Sequence, residues 1–222
     1  MTLVIIITIL SILIPCYVFV GYPLLLVLLS KLVKGKVVEK AQISPSVSFI
    51  VSCYNEVDVI RKKIENCLNL DYPNEKIEFV FVSDGSDDGT DEIIQEYKSS
   101  GVRLVRQEGR LGKTSGLNLA MTDLDTEIIV FSDANAIYAE DAVRQLVNNF
   151  NDPAVGYVVG AALYVDTDSS SASASEDSYW QYEMFMKNLE SRLHSVVGGD
   201  GAIYAIRREL YKPLIEKISM TL

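Results

Sequence analysis

The chain has 222 residues, with 30 acidic against 20 basic side chains and a formal net charge of −10. That length can bury a full core and carry an appendage, while the acidic balance excludes a nucleic-acid surface, which needs a basic stripe. Cys16, Cys53 and Cys67 have no metal-ligand spacing and give no disulfide framework, which fits a reducing compartment.

Residues 1–30 carry no charged side chain and are long enough to cross a bilayer as one helix. Pro15 and Pro23 should kink that helix without excluding it. A cleaved signal peptide fits less well, because Met1-Thr2 offers no positive charge and the apolar run is too long. Lys31, Lys34, Lys36 and Lys40 follow, so 31–44 reads as a basic juxtamembrane linker. The positive-inside rule then places the remainder, 45–222, in the cytoplasm, as a membrane protein with a single span.

From Pro45 the pattern becomes that of alternating strands and helices. Val47–Ser52 reads as a strand, broken by Tyr54-Asn55-Glu56. Asn55 suits an N-cap with Asp58 three residues on, opening a helix with Val59, Ile60, Ile64 and Leu68 on one face. Tyr72-Pro73-Asn74 is a turn, and Ile77–Val82 a second strand ending in Ser83-Asp84-Gly85-Ser86-Asp87-Asp88-Gly89-Thr90. A helix over Asp91–Lys98, a strand over Val102–Arg106, a basic loop Arg110-Leu111-Gly112-Lys113 and a helix over Ser115–Met121 come next. Glu127–Asn135 then holds four unbroken apolar residues, Ile128–Phe131, the mark of a strand buried on both faces. Beyond it, Ala139–Phe150 reads as a helix and Val155–Val165 as a strand. Ser169–Ser175 reads as a flexible loop, Tyr179–Val197 as a long helix and Ala202–Ile206 as a short strand. This order predicts βαβ units and a largely parallel sheet.

Three polar clusters fall at carboxyl ends of these strands, where open α/β sheets bind ligands: Tyr54-Asn55-Glu56, Asp84-Gly85-Ser86 and Asp133-Ala134-Asn135. Asp133 and Asn135 can both reach a hard cation such as Mg2+ or Mn2+. Taken singly, each cluster also reads as a turn or a helix start. Together with Arg110, Lys113 and the nearby glycines they suit a nucleoside diphosphate and its metal. Gly109–Thr114 is not a P-loop, because Gln107 stands where that motif needs a glycine. No G-x-G-x-x-G follows the first strand, so a dinucleotide site is poorly supported.

The series Val47–Val51, Tyr54-Asn55-Glu56, Asp84–Thr90, Arg110-x-Gly112-Lys113-x-x-Gly116-Leu117-Asn118, Asp133-Ala134-Asn135 and Gly201–Arg208 resembles the family 2 glycosyltransferases of the GT-A fold. It is closest to their membrane-anchored, polysaccharide-building branch, over about residues 45–211. The resemblance implies an α/β, Rossmann-like mixed sheet behind an N-terminal transmembrane helix. It also implies inverting transfer of a sugar from a nucleotide-sugar donor, usually a UDP-sugar, to a glycan or lipid-linked acceptor hydroxyl. On that pattern Tyr54, Asn55, Glu56, Asp84 and Gly85 serve the base and ribose, and Arg110 and Lys113 the diphosphate. Asp133, with Asn135, holds the Mg2+ or Mn2+, and Gly199–Gly201 and the Tyr179 helix face the acceptor.

Three departures stand out. Ser83 replaces the first of two acids, Asn135 replaces a second aspartate, and no acidic pair follows Ile206, where the family keeps its catalytic acid. Glu216 sits early for that role, and His194, the sole histidine, reads as a helix-surface residue. The expectation is therefore a donor-binding part whose C-terminal acceptor machinery is missing. The alternatives are a non-catalytic nucleotide-sugar-binding protein and, more distantly, a nucleotidyltransferase. The last would want a glycine-rich basic loop directly after the first strand, where Cys53-Tyr54-Asn55 stands.

Overall fold

A computed structural model describes residues 1–35, 37–160, 171–196 and 203–214. In chain order the principal elements are α1 (Thr2–Cys16), a π-helical turn (Tyr17–Gly21), α2 (Tyr22–Leu32), β1 (Val47–Cys53), α3 (Ile60–Leu68) and β2 (Ile77–Ser83). There follow α4 (Thr90–Glu96), β3 (Val102–Arg106), α5 (Lys113–Met121), β4 (Ile128–Asp133), α6 (Ala142–Val147), β5 (Tyr157–Val159), α7 (Ser171–Leu193) and β6 (Ile203–Arg207). The chain divides into two compact units, Met1–Val37 with Leu163–Gly199 and Val38–Ala162 with Asp200–Leu222.

In the first unit, Thr2–Leu32 forms 31 helical residues of mean hydropathy 2.9, long and apolar enough to cross a membrane. At about 1.5 Å per residue this helix exceeds the roughly 30 Å of a bilayer's hydrocarbon core. The prolines do not stop it. Each removes a ladder hydrogen bond, and the wider turn Tyr17–Gly21 lies between them. No residue of α1 is buried, whereas Leu26 of α2 packs with Met186 and Leu189 of α7. The Tyr22 hydroxyl donates to Glu190 Oε1 at 2.7 Å.

The second unit is a six-stranded sheet in the order β3-β2-β1-β4-β6-β5. β1 runs parallel to β2 and β4, and β2 parallel to β3, while β6 runs antiparallel to β4 and β5. The expected α/β mixed sheet is therefore present. Phe49, Val51, Phe79, Phe81 and Val130 point to one face, where Ile60 and Ile64 of α3, Ile94 of α4 and Val143 and Val147 of α6 cover them. Ile50, Val80, Val82, Ile129 and Phe131 point to the other, under Leu117, Ala120 and Met121 of α5. A strand buried on both faces cannot alternate apolar with polar residues, which is why β1, β2 and β4 carry unbroken apolar runs.

Four expectations are corrected. Asn55 is not a helix cap: α3 starts at Ile60 behind Val59, because Glu56 O accepts first from Val59 N and Ile60 N in a separate turn. The helix expected over Ala139–Phe150 is α helical only from Ala142 to Val147 and tightens to a 3-10 turn over Asn148–Asn151. Glu140 stays outside it, its carbonyl taken by the Asp71 N–H. Of the expected Val155–Val165 strand, Tyr157–Val159 is extended, and residues past 160 lie outside the described residues. The serine-rich stretch is helical from Ser171. Ala172 and Ala174 are strong helix formers, serine costs only some tenths of a kcal/mol per site, and no glycine or proline separates them from the apolar part of α7. Lys36, Gly199–Gly201, Ala202 and Glu216 also lie outside the described residues.

The segment after β6 is fastened by one side chain of α5. Asn118 Oδ1 accepts from the Leu214 N–H and the Tyr211 hydroxyl, both at 2.8 Å, and Asn118 Nδ2 donates to Leu214 O at 2.9 Å. The bond from Tyr211 is half-buried and the two with Leu214 are exposed, and an intramolecular hydrogen bond contributes a net of about 0.5–1.5 kcal/mol. Asn118→Ala is therefore expected to speed amide exchange at Leu214 roughly tenfold, measured by hydrogen–deuterium exchange on the full chain. Unaltered exchange would show that the segment is held by something else.

Candidate functional site

The parallel register brings the ends of β1, β2 and β4 level: Ser52 pairs with Val82 on one side and with Asp133 on the other. Residues at or just past these ends, together with Lys113 of α5, line one cavity of about 240 Å³, with Tyr54, Glu56, Asp84, Lys113, Asp133 and Asn135 in its wall. Of the sequence-predicted set, Asn55, Gly85 and Arg110 do not line it, and each shapes it indirectly.

Asn55 takes φ +52°, positive and outside glycine, a conformation asparagine tolerates better than most residues. Its side chain exchanges two hydrogen bonds with Asp87, Nδ2 to Oδ1 at 2.9 Å and the Asp87 N–H to Oδ1 at 3.1 Å. The next two backbone amides are also claimed by the loop after β2, Glu56 N–H by Thr90 Oγ1 and Val57 N–H by Asp88 Oδ2. Asp88 Oδ1 in turn accepts from the Thr90 N–H and hydroxyl. The Asp87-Asp88-Gly89-Thr90 run is thus a clamp that fixes where Tyr54 and Glu56 stand. Ser83, fully buried, bonds Ser86 within the same turn.

Asp84 is 9% exposed. Its Oδ1 accepts from Leu111 N–H at 2.8 Å, Gly112 N–H at 2.9 Å and Gln107 Nε2 at 2.7 Å. Oδ2 accepts from Gly112 N–H at 3.1 Å. Three donors saturate Oδ1, so Oδ2 carries what capacity remains for a ligand. Gln107, 2% exposed, also donates to Gly112 O. It was not among the sequence-predicted residues, and its only signal is its place as the first polar residue after β3. The basic loop so held presents Arg110 over the Tyr54 ring, 4.2 Å from its centroid, and Lys113 to Asp133 Oδ1 at 2.5 Å.

Burial raises the Glu56 carboxyl above the usual range, with the negative fields of Asp133 and Asp88 adding to it. A cation among these acids would be favoured. Asp133 and Asn135 offer hard oxygen donors to the cavity, which fits Mg2+ or Mn2+. Among the described residues no group of three or more His, Cys, Asp or Glu side chains could hold a metal ion alone. Magnesium, however, commonly takes one or two carboxylates together with water and substrate phosphates. Cys53 also lines the cavity, but burial first, then Glu56 and Asp88, pushes its thiol up to about 12, so it is not a thiolate nucleophile at neutral pH. His194 is exposed, as expected.

Lys63 was missed by sequence reasoning, and it is fully buried on α3. Burial lowers its ammonium to about 8. The available signal was its position, three residues after Ile60 and four before Cys67, which puts a cation on the apolar stripe.

The turn at Gly85 yields a direct test of this geometry. Gly85 has φ +74°, and a Cβ there would lie 2.8 Å from Gly109 C and O. Gly101 has φ +85° with nothing within 4 Å. The left-handed conformation alone costs an ordinary residue about 1–2 kcal/mol. Gly101→Ala carries that term only, whereas Gly85→Ala adds the backbone overlap and should lower the thermal midpoint further. Equal shifts would mean that the two loops are not in tight apposition.

Residues 48–215 match the family model described as Glycosyl transferase family 2. Over 116 residues the chain is 32% identical to a poly-beta-1,6-N-acetyl-D-glucosamine synthase of Staphylococcus epidermidis, a match that takes in 51% of this chain and 28% of that one. The corresponding synthase of Staphylococcus aureus strain MSSA476 is 35% identical over 117 residues, with the same coverage. The chain therefore spans less than a third of the curated relatives it matches. Among solved structures, a mannosyltransferase from Pyrobaculum calidifontis in complex with GDP-Man and Mn2+ aligns with a TM-score of 0.73 and 29% identity. That alignment covers 90% of this chain and 56% of that one. Staphylococcus aureus TarS 1–349 in complex with UDP-GlcNAc aligns with a TM-score of 0.51 at 20% identity, over 56% of this chain and 36% of that one, a likeness of fold alone.

Proposed function

The chain belongs to glycosyl transferase family 2 and has the GT-A fold, and on that premise we propose that it binds a nucleoside-diphosphate sugar and serves transfer of its glycosyl group, with inversion, to a glycan or lipid-linked hydroxyl. The observation that carries this reading is the convergence of Tyr54, Glu56, Asp84, Lys113, Asp133 and Asn135 on one cavity at the carboxyl edge of the sheet. Tyr54, Glu56 and Asp84 form the base and ribose side, with Asn55 and Gly85 shaping the turns that carry them. Arg110 and Lys113 supply cations for the diphosphate, and Asp133 with Asn135 the oxygen donors for Mg2+ or Mn2+. When bound, that ion would supply charge neutralisation for the departing diphosphate. Lys113 contributes in the same sense, as a point charge at the β4 end.

A UDP-sugar is the donor we favour; transfer of N-acetylhexosaminyl units follows the names of the curated relatives, which are N-acetyl-glucosamine polymer synthases, and transfer of hexosyl units that of the solved mannosyltransferase. Thr2–Leu32 would cross the membrane, and Lys31, Lys34, Lys36 and Lys40 would keep the sheet domain on the cytoplasmic side. Binding of a nucleotide sugar without turnover is the second reading. That reading requires only the donor-side residues already placed in the cavity, Tyr54, Glu56 and Asp84, with Lys113 and Asp133.

Calorimetric titration of the full chain in detergent with UDP, with and without Mn2+, tests the binding reading. UDP should bind more tightly with Mn2+ than after chelation by EDTA. Asp133→Ala should remove the metal-dependent part, a loss of about tenfold or more. An Asp133→Ala chain that retains full Mn2+-dependent affinity would sink the metal assignment. Release of UDP from UDP-sugars in the presence of acceptor then separates transfer from binding alone.

A further inference from the structure

The apolar stripe of α3 runs through Ile60, Ile64 and Cys67, all buried, and includes Lys63, 0% exposed. An ammonium taken out of water needs compensation, and an apolar side chain of similar length would avoid that demand. The compensation found here points at one loop. Lys63 Nζ donates to Ala136 O at 2.6 Å. It also stands 3.9 Å from the centroid of the Tyr138 ring and 5.6 Å from that of Phe49, cation–π contacts that strengthen when desolvated.

Ala136 and Tyr138 belong to the loop that leaves β4 directly after Asp133, its last residue, and carries Asn135. One helical turn on from Lys63, the Asn66 amide exchanges two hydrogen bonds with the Tyr138 backbone, Nδ2 to O at 2.8 Å and the N–H to Oδ1 at 3.0 Å. The Tyr138 hydroxyl shares a 2.7 Å hydrogen bond with Ser132 Oγ, which lies 2.9 Å from Asp133 O. The loop is thus closed on itself at Ser132 and Tyr138 and fixed to α3 at two points. One of these is a full positive charge beneath a segment that offers a carboxylate to the cavity.

We propose that Lys63 is a positioning residue of the donor site: together with Asn66 it fixes the Asp133–Tyr138 loop on α3, so that the Asp133 and Asn135 oxygens are held ready to take a divalent cation. This rests on the donor-site reading above. Lys63 touches neither cavity nor ligand, and it acts through the Ala136 carbonyl and the Tyr138 ring. Outer partners that orient metal-binding groups typically control affinity by about 10–100-fold, and that is the scale expected here.

The test is Mn2+ uptake by the full chain in detergent with UDP present, followed by loss of the free-ion electron paramagnetic resonance signal. Lys63→Met keeps length and packing but removes the charge and the hydrogen bond. Ile64→Val on the same helix is the control for general loosening of α3. Lys63→Met should weaken Mn2+ binding about tenfold or more, while Ile64→Val stays within about twofold and metal-free UDP affinity is the same in both. Equal Mn2+ affinity in the two variants, with wild type binding normally, overturns the positioning role alone. Failure of wild type to take up Mn2+ with UDP overturns the donor-site reading, and this inference with it. If Lys63→Met does not fold, Asn66→Ala leaves the ammonium in place and removes the second attachment. A several-fold loss of Mn2+ affinity then supports the proposal, and no loss overturns it.

Discussion

The register of β1 between β2 and β4 decides where the acids of this protein meet. Val47 lies opposite Ile77 on one side and Ile128 on the other, so three strands end level and their following loops crowd one edge. A shift of one residue in either pairing would turn a whole apolar set to the wrong face, and with both faces covered by helices there is no face to spare. The same burial that fixes the core therefore fixes the positions of Tyr54, Asp84 and Asp133. The chemistry at the edge inherits its precision from Phe49, Ile50, Val80 and Ile129, none of which touches it.

Bringing carboxylates together has an electrostatic consequence, and the fold answers it separately at each acid. Asp84 is met by two backbone amides and Gln107, Asp88 by the Val57 amide and by the amide and hydroxyl of Thr90 at the α4 start, and Asp133 by Lys113. Glu56 is held above the ordinary carboxylate range by burial and by Asp133 and Asp88. The loops are consequently tied to one another more than to solvent. The acid-rich run Asp84–Asp88, which reads as a ligand cluster, divides its work between holding the basic loop and holding the turn after β1.

Much of this was legible in the residues. Unbroken apolar runs marked β1, β2 and β4, and the polar residues that stop them marked the site, because a doubly covered strand leaves no other pattern. What was misread has definite causes. Asn55 followed by Asp58 has the spacing of a helix cap, but asparagine also suits a positive φ, and the Asp87 clamp across the cavity edge selected that instead. Serine and alanine in alternation look like a linker, yet they form the first turns of α7, with no glycine or proline before its apolar part. Lys63 carried a signal in its helical position, but only the loop from Asp133 to Tyr138, distant in sequence, supplies a reason to bury a charge there. Contacts of that kind are set by the tertiary fold, and no local window contains both partners.

The pairing of Lys113 with Asp133 bears on how such an edge could accept a charged ligand. Both side chains are half-exposed, 50% and 37%, and ion pairs of that exposure contribute about 0–1 kcal/mol. Breaking the pair is therefore inexpensive. On the proposed reading, a diphosphate arriving with its cation brings one partner of each sign: phosphate oxygens for Lys113 and a divalent ion for Asp133. The exchange leaves neither group without a counter-charge, because each trades one for another. Lys63 stands outside that exchange. Its partners are a backbone carbonyl and two aromatic rings, which a ligand cannot displace, so the loop bearing Asp133 can keep its place while the ion pair above it opens.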